Sequence, residues 1–546
     1  MLKKEKNRLS NLSYKLCGLP DAPIHNLHKS AVNTLCNRIG EIKKEHWLNW
    51  LKEATTKDIY IANKFITNTP ADHSYVRIPL LKSSTPNSEA SLLNTNSEKV
   101  TALVSTFFPP PPQVPVIPTT VYPEPIGAQG IFTCEDIRRA VQKLKLYKAP
   151  GLDGIPNIQM CINSIINHLF YIFQVILELD TYPSRWLSIL TIALRKPGKA
   201  AYNVAKAYCP IGLLEMIGKL FSTLIAADLS YITEKHGILP PTQFGGRPGR
   251  CTTNTMHLVV TKVKDAWRVG KLTSALFLNI QVAFPNTVKA HLLHNMKSRC
   301  IPTQYIQLFD KMLTGHKTWL HFNNYISEPI LIMNGTMQGC PLSMLLYTYY
   351  NMDLIDIAKG KCKLSTGFVD DCAFVAVVET LDKAHAILKD MMECTGGGLN
   401  WSHNHNSPFE LSKLTIMDFA RTPHELAASH LQIDKCNSNG TITCHTISPT
   451  DTYKYLGVVF DPKLTWRAHI TKVVANTSHW SQQLGRLSRV SSGLSPSKLH
   501  QLYITVTIPA FTYTSNVWYT PPFKFTHSRN TQGSVAATKT FQPIQG

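Results

Sequence analysis

Two adjacent carboxylates, Asp370 and Asp371, stand between apolar runs in GFVDDCAFVAVV (Gly367–Val378). Neighbouring carboxylates repel, and in apolar surroundings they are tolerated chiefly where a cation neutralises them, so the chemistry they offer is the holding of a hard divalent ion through oxygen. The plainer reading is a turn, because Asp-Asp is a common turn dipeptide. A second apolar run, Ala275 to Leu278, ends at Asn279, whose amide brings an oxygen without charge. Between the two lies NGTMQGCPLS (Asn334–Ser343), a glycine-containing loop that opens the stretch Met344 to Ile357. Such a loop lets backbone approach a nucleotide or base closely, and the N-terminus of the helix it opens favours phosphate. Arg195, Lys196 and Lys199 make a basic turn, RKPGK, suited to phosphate or simply solvated. His403 and His405 in WSHNHNS have no Cys or carboxylate at ligand spacing, which favours a polar loop over a metal site.

The elements that must position these groups mix helix and strand. Apolar β-branched and aromatic residues on both sides of Asp370-Asp371 predict a β-hairpin with the acidic pair at its turn. Leu187 to Leu194 reads as a strand leading into the basic turn. Cys134 to Leu146 reads as a helix opened by Thr133 as N-cap, ending at the turn KAPGLDG (Lys148–Gly154). Ile217 to Lys235 and Thr253 to Val269 read as helices on either side of QFGGRPGR (Gln243–Arg250). Ahead of these, Ala31 to Thr55 has a partial helical stripe of Leu35, Ile39, Ile42, Trp47, Leu48 and Leu51. Ser83 to Ser97 is rich in Ser, Asn and Thr, and FFPPPPQVPVIP (Phe107–Pro118) predicts a stiff extended linker. The pattern places a domain boundary near residue 130.

The chain has 546 residues, 44% of them apolar, enough for several domains with a real core. Its 56 Lys and Arg against 35 Asp and Glu leave a formal charge of +21, which calls for a polyanionic partner, nucleic acid before a membrane surface. Apolar stretches such as Ile165 to Leu179 are interrupted by polar residues and fall short of about 20 residues, so no membrane span is expected. The basic N-terminus leads into no apolar region of a secretory signal, so an intracellular protein of nucleus or cytoplasm is expected. Thirteen cysteines without a Cys-x-x-Cys pair are read as reduced and mostly structural.

Taken in order, KAPGLDGIPN (148–157), LRKPGK (194–199), AYCPIGLLEMIGKLF (207–221), QFGGRPGRCT (243–252), LFLNIQVAFPNTV (276–288), GTMQGCPLS (335–343), FVDD (368–371), FELSKL (409–414) and YKYLGVVFDPKLTW (453–466) resemble the reverse transcriptases of non-LTR retrotransposons of the LINE or jockey-like kind. Each motif alone is modest, and their order makes the resemblance specific. It implies an α+β right-hand polymerase fold: a basic lead-in and linker over 1–130, fingers and palm over 131–461, and a helical thumb over 462–546. It implies an RNA-directed DNA polymerase that uses an RNA template, a DNA primer and deoxynucleoside triphosphates.

By the same resemblance, Asp370 and Asp371 hold two Mg²⁺ ions, and Asn279 occupies the place of a third carboxylate. Phe284 is the aromatic that blocks a ribose 2′ hydroxyl, or else a core residue. Gln338 and Gly339 contact the nascent pair, or else form a tight turn. Arg195, Lys196 and Lys199 approach the triphosphate and template. Lys413 aligns with a lysine that protonates leaving pyrophosphate, and Tyr455 to Val459 with a hairpin that grips the primer, or with a plain strand.

Two departures fall on chemistry. Asn279 offers Mg²⁺ a neutral oxygen where a charged one is required, and losing one preorganised electrostatic group costs on the order of 10²- to 10³-fold in rate. Cys209 in AYCPI replaces a usual arginine. The family also carries an endonuclease ahead of the polymerase and often a ribonuclease H behind it. The resemblance therefore implies a shortened, partly degenerate copy with impaired activity, served by an endonuclease in trans. The alternative is a non-catalytic protein that binds RNA or RNA/DNA hybrid through its surviving positive charge.

Overall fold

The computed structural model describes residues 2–519 apart from 18, 20, 56–57, 68–76, 83–91, 111–116, 118–119, 128–131, 145–147, 200, 423–429, 437–441 and 489–492. Most of the Pro-rich stretch, most of Ser83 to Ser97, the residues around the expected boundary at 130 and the end of the chain lie outside the described residues.

The chain folds as two compact units that are not consecutive stretches. One joins residues 1–71 to 469–515. Its helices Leu2–Lys15, Pro23–Glu53 and Asp58–Thr67 come from the start of the chain, and Arg467–Leu487 and Pro496–Leu502 from near its end. Leu51, Ala54, Ile59 and Ala62 share a small core with Leu487, Leu494 and Leu502, and Trp47 stacks on Trp50 at 5.2 Å. The helical stripe expected over Ala31 to Thr55 is buried only at this end, since Ile39 and Ile42 are exposed.

The second unit holds the remaining segments, including residues 72–130. The helix Asn96–Phe107 is fixed by a capping box between Thr95 and Glu98, and it buries Leu103 and Phe107 with Ala193, Tyr208 and Leu320. Thr133 and Asp136 make the same box for Cys134–Gln142. The expected turn at Lys148–Gly154 serves as a cap from a distance: Asp153 accepts the N–H of Met216 at 3.1 Å, where the helix Met216–His236 begins without a side-chain cap of its own. Left-handed Gly237 (φ 61°) ends that helix.

In chain order, β1 (Leu81–Lys82) and β2 (Leu92–Leu93) pair with each other. β3 (Ser188–Arg195) and β4 (Tyr208–Leu213) start a second sheet, and β5 (Leu272–Asn279) starts a third. β6 (His316–Phe322), β7 (Tyr325–Ile326) and β8 (Ile330–Ile332) return to the second; β9 (Lys363–Phe368), β10 (Asp371–Val378) and β11 (Thr415–Phe419) return to the third. Two hairpins follow, β12 (Leu431–Cys436) with β13 (Ile442–Ile447) and β14 (Tyr453–Tyr455) with β15 (Val458–Phe460).

The four-stranded sheet has the order β11-β5-β10-β9 and is antiparallel throughout. Nearly every residue of β5 and β10 is buried, which is why these strands read as continuous apolar runs rather than alternating ones. Leu276, Leu278, Phe374 and Ala376 join the main core, while Phe277 on the alternate face stacks on Tyr453 of the β14–β15 hairpin at 4.5 Å. The five-stranded sheet has the order β4-β3-β6-β7, with β8 also on β6; its β3–β6 pair is parallel. The unit is therefore mixed α and β, as expected.

Three expectations need correction. By length and composition Gln159–Glu178 is able to cross a membrane, although no such segment was expected. The helix within it, Ile162–Glu178, commits Ile166, Leu169, Phe173 and Ile176 to the main core and leaves Tyr171, Ile172 and Val175 exposed. Only Cys340 and Cys372 of the described cysteines are buried, so the cysteines are not mostly core residues, and none of those described is disulfide-bonded. His403 and His405 close the helix Gly398–Asn404 rather than a polar loop, and the buried His405 ring stacks on Trp401 at 5.0 Å.

Candidate active site

The β5–β10 ladder places Asn279 directly opposite Asp371. Directly paired residues in an antiparallel ladder point to one face, so the amide and the carboxylate share a side of the sheet at its open end. The same register pairs Asp371 with Phe368 on β9, leaving Val369 and Asp370 as a two-residue connection. The acidic pair thus straddles the turn and the first residue of β10 instead of forming the turn by itself. Val369 adopts φ 61°, a conformation that a β-branched side chain takes only where its surroundings force it.

Several contacts impose that conformation. The Val369 carbonyl accepts a hydrogen bond from the buried Asn351 side chain on the helix Ser343–Ile355. On the other side, the segment Thr242–Phe244 runs along β9: Gly367 N–H donates to Thr242 O at 3.1 Å, and Phe244 N–H donates to Gly367 O at 2.8 Å. A Cβ at Gly245 would lie 2.4 Å from Val369 N, so only glycine lets the two backbones meet. Arg247 fixes this segment from behind, with bonds of 2.6 and 2.8 Å to Glu234 and further bonds to the carbonyls of Pro240 and Gln243.

Asp370 and Asp371 are both exposed residues. The protein packed around them still displaces much of their water, and this desolvation raises both carboxyls above the ordinary range. Asp371 reaches about 6, with the charge of Asp370 adding to the effect. Neighbouring Tyr453 is also pushed up, by burial and then by the charge of Asp371. A hard divalent cation would relieve all of these costs, and the two carboxylates and the Asn279 oxygen are donors of the type Mg²⁺ accepts. The fit is incomplete in charge: among the described residues no group of three or more His, Cys, Asp or Glu side chains is arranged to hold a metal.

The remaining expected residues fall into two sets. Phe284 lies beside the carboxylates through Tyr347, its ring 5.2 Å from that tyrosine, which in turn feels the charge of Asp370. The Phe284 carbonyl accepts Thr336 N–H at 2.8 Å, joining its turn to the 334–343 loop. In that loop Gly339 has φ 118°, and a Cβ there would stand 2.4 Å from Gly212 O. Gln338 accepts Gly212 N–H on its carbonyl at 2.7 Å and the Cys209 thiol on its side-chain oxygen at 3.3 Å, so Cys209 holds this loop to β4 where a cation was expected. Lys413 is paired with Glu410, whose N–H donates to Asn279 O at 3.0 Å.

Arg195, Lys196 and Lys199 form the second set. They are exposed at the end of β3; Arg195 donates to Arg77 O at 2.8 Å and lies 5.1 Å over the Tyr202 ring, contacts that do not reach the carboxylates.

Sequence reasoning missed Gly245, Gly367, Asn351 and Tyr453. The glycines of QFGG were visible, but nothing local said what they approach. It also missed a polar cluster farther along β5: Ser274 donates to Asp418 Oδ1 at 2.6 Å, and His385 Nε2 lies 2.9 Å from the same oxygen, all three buried.

Residues 194–460 match the family described as reverse transcriptase (RNA-dependent DNA polymerase). Relatives of the chain are named as RNA-directed DNA polymerases of transposons and mobile elements. The chain is 29% identical over 393 residues to the probable RNA-directed DNA polymerase from transposon X-element of Drosophila melanogaster, an alignment covering 70% of this chain and 41% of that protein. It is 27% identical over 398 residues to the RNA-directed DNA polymerase from mobile element jockey of Drosophila funebris, covering 71% and 41%. It is 25% identical over 398 residues to the probable RNA-directed DNA polymerase from transposon BS of Drosophila melanogaster, covering 70% and 42%. The chain thus spans about two-fifths of the length of the curated relatives it matches.

Proposed function

We propose that this chain performs template-directed transfer of deoxynucleotides to a DNA 3′ end on an RNA template, in a form weakened by Asn279. The observation that carries the reading is the register that sets Asn279 opposite Asp371 with Asp370 in the adjoining turn. In right-hand terms the four-stranded sheet is the palm, the five-stranded sheet belongs to the fingers, and the helices after residue 462 form the thumb.

Asp370 and Asp371 would hold two Mg²⁺ ions, which when bound activate the primer hydroxyl and neutralise the triphosphate. Asn279 contributes an oxygen to that set without the charge that would hold the ions firmly. Phe284, wedged between Tyr347 and the 334–343 loop, excludes a ribose 2′ hydroxyl by bulk. Gln338 and Gly339 present backbone to the nascent pair. Arg195, Lys196 and Lys199 meet template or triphosphate phosphates from the exposed end of β3. Lys413 is a proton donor to pyrophosphate once released from Glu410, and the β14–β15 hairpin grips the primer. An endonuclease supplied in trans and work in the nucleus or cytoplasm, away from membranes, complete the proposal.

Primer extension on an RNA template tests it. Asn279→Asp should raise the rate on the order of 10²- to 10³-fold, and equal rates for the two proteins would overturn the assignment. A second reading, a non-catalytic binder of RNA or RNA/DNA hybrid, is favoured by the +21 charge surviving beside an incomplete acid set. It predicts salt-sensitive hybrid binding in both proteins and no extension by either.

A further inference from the structure

At the opposite end of the four-stranded sheet from the acidic turn, three separate segments converge on a cleft of about 460 Å³ lined by Lys264, Trp267, Arg268, Arg421 and Lys463. Lys264, Trp267 and Arg268 end the helix Thr252–Arg268, which leads into the first residue of β5; Arg421 follows the end of β11, whose Phe419 pairs with Thr273 near the start of β5. Asn279 closes the same strand, seven steps of roughly 3.4 Å from Leu272, or about 24 Å away.

The cleft is tied together rather than formed by side chains meeting at random. Trp267 Nε1–H donates to Phe419 O at 3.4 Å, and Ala420 N–H donates to Pro462 O at 3.2 Å. The loop presenting Lys463 is fixed by Asp461, whose carboxylate accepts the N–H groups of Lys463, Thr465 and Trp466 at 3.2, 2.9 and 2.7 Å. Arg421 lies 5.9 Å over the Trp267 ring.

Lys264 and Arg268 alone would be ordinary complements to the negative end of a helix dipole, and Arg268 is also paired with Asp265. That account does not extend to Arg421 and Lys463, which arrive from two other segments. Four cations around a partly buried indole suit phosphates flanking unpaired bases, since cations neutralise the backbone and an aromatic ring accepts a base of any identity. Carboxylate ligands would have no use for the ring, and a duplex offers it no free base face.

We propose that this cleft is a second nucleic-acid contact, which binds the phosphate backbone of a single strand and stacks a base on Trp267. The inference adds a site to the polymerase reading and does not depend on catalysis. The test measures binding of a fluorescein-labelled 12-residue oligouridylate to the full chain over a salt series, with oligothymidylate and a 12-base-pair duplex as parallel probes. A Lys264→Gln/Arg421→Gln/Lys463→Gln variant that keeps the parent melting temperature should bind both single strands about tenfold more weakly. Its salt slope should fall by about 2, from roughly 0.7 per lost single-strand phosphate contact.

Ultraviolet cross-linking of a 4-thiouridine oligomer to the unmodified protein should label the peptide containing Trp267, which keeps the test open if the variant does not fold. Unchanged affinity and slope, cross-links confined to other peptides, or an equal loss of duplex binding would each overturn the proposal. Because these readouts involve no nucleotide transfer, absence of polymerase activity would count against the proposed function and leave this inference standing.

Discussion

Asp418 and Asp371 both face β5, one opposite Ser274 and the other opposite Asn279, and their surroundings differ in kind. Asp418 is buried and shares its Oδ1 with the Ser274 hydroxyl and the His385 ring, so its charge is answered inside the fold. Asp371 stands at the open end beside a second carboxylate and opposite an uncharged amide, and it carries a desolvation cost that nothing in its strand pair offsets. A carboxylate satisfied by its own protein contributes to holding the sheet together. One left unsatisfied at the open end of a ladder is a candidate place for a cation from outside. The same strand therefore faces one acid answered within the fold and one that is not, and burial of the partners distinguishes them better than residue type does.

The contrast is most exposed to failure in stability measurements. Asp418→Ala should lower unfolding stability by about 3–5 kcal/mol, because removing one member of a buried polar pair strands the other, whereas Asp371→Ala should leave the urea midpoint unchanged or raise it. Comparable losses in the two variants would break the distinction.

A smaller effect is expected where the backbone supports the open end. Gly245→Ala pushes a Cβ to 2.4 Å from Val369 N, so something must shift, at a cost of about 1–3 kcal/mol for overpacking. In an Asn279→Asp background it should also reduce primer extension, through displacement of the turn that carries Asp370. Retained activity in that double variant would show that the turn does not need its glycine neighbour.

The smallest effect concerns pH, and the two kinds of site should respond in opposite directions. Buried His405 is lowered to about 3 by desolvation first and by His291 second, so the stability it contributes is present above pH 6.5 and is lost as pH falls toward 3. Asp371 is raised to about 6, so the folded state holds its proton more tightly than the unfolded chain does. Its contribution is fully present below the unfolded value of 3.8 and is lost as pH rises through about 6. Urea midpoints at pH 4.5, 6 and 7.5 should therefore show Asp371→Asn gaining on the parent as pH rises. A gain of equal size at all three values would mean that Asp371 titrates normally.

Much of the local structure was legible. The Thr133 cap, the strand before RKPGK and the helices on either side of QFGGRPGR appear within about two residues of their expected bounds at most ends, because caps and apolar periods act over a single turn or strand. The helix after Thr133 stops at Gln142, short of the expected Leu146. The acidic hairpin was legible too, but not which of its residues form the turn, since that depends on pairing with β5 far back in the chain. Nor did any local signal join residues 1–71 to 469–515, whose shared core is assembled from segments some four hundred residues apart.

The sequence by itself carried the resemblance to a family, the order of the motifs and the doubt over Asn279, because a run of residue types in a fixed order and the presence or absence of a carboxylate are properties of the chain. Only the tertiary structure decided that Asn279 faces Asp371 across a ladder, that Gly245 lets backbone reach Val369, and that Asp418 is satisfied while Asp371 is not. Those are relations between distant segments, fixed by strand register and close packing, and desolvation acts on a carboxylate only after the fold has surrounded it.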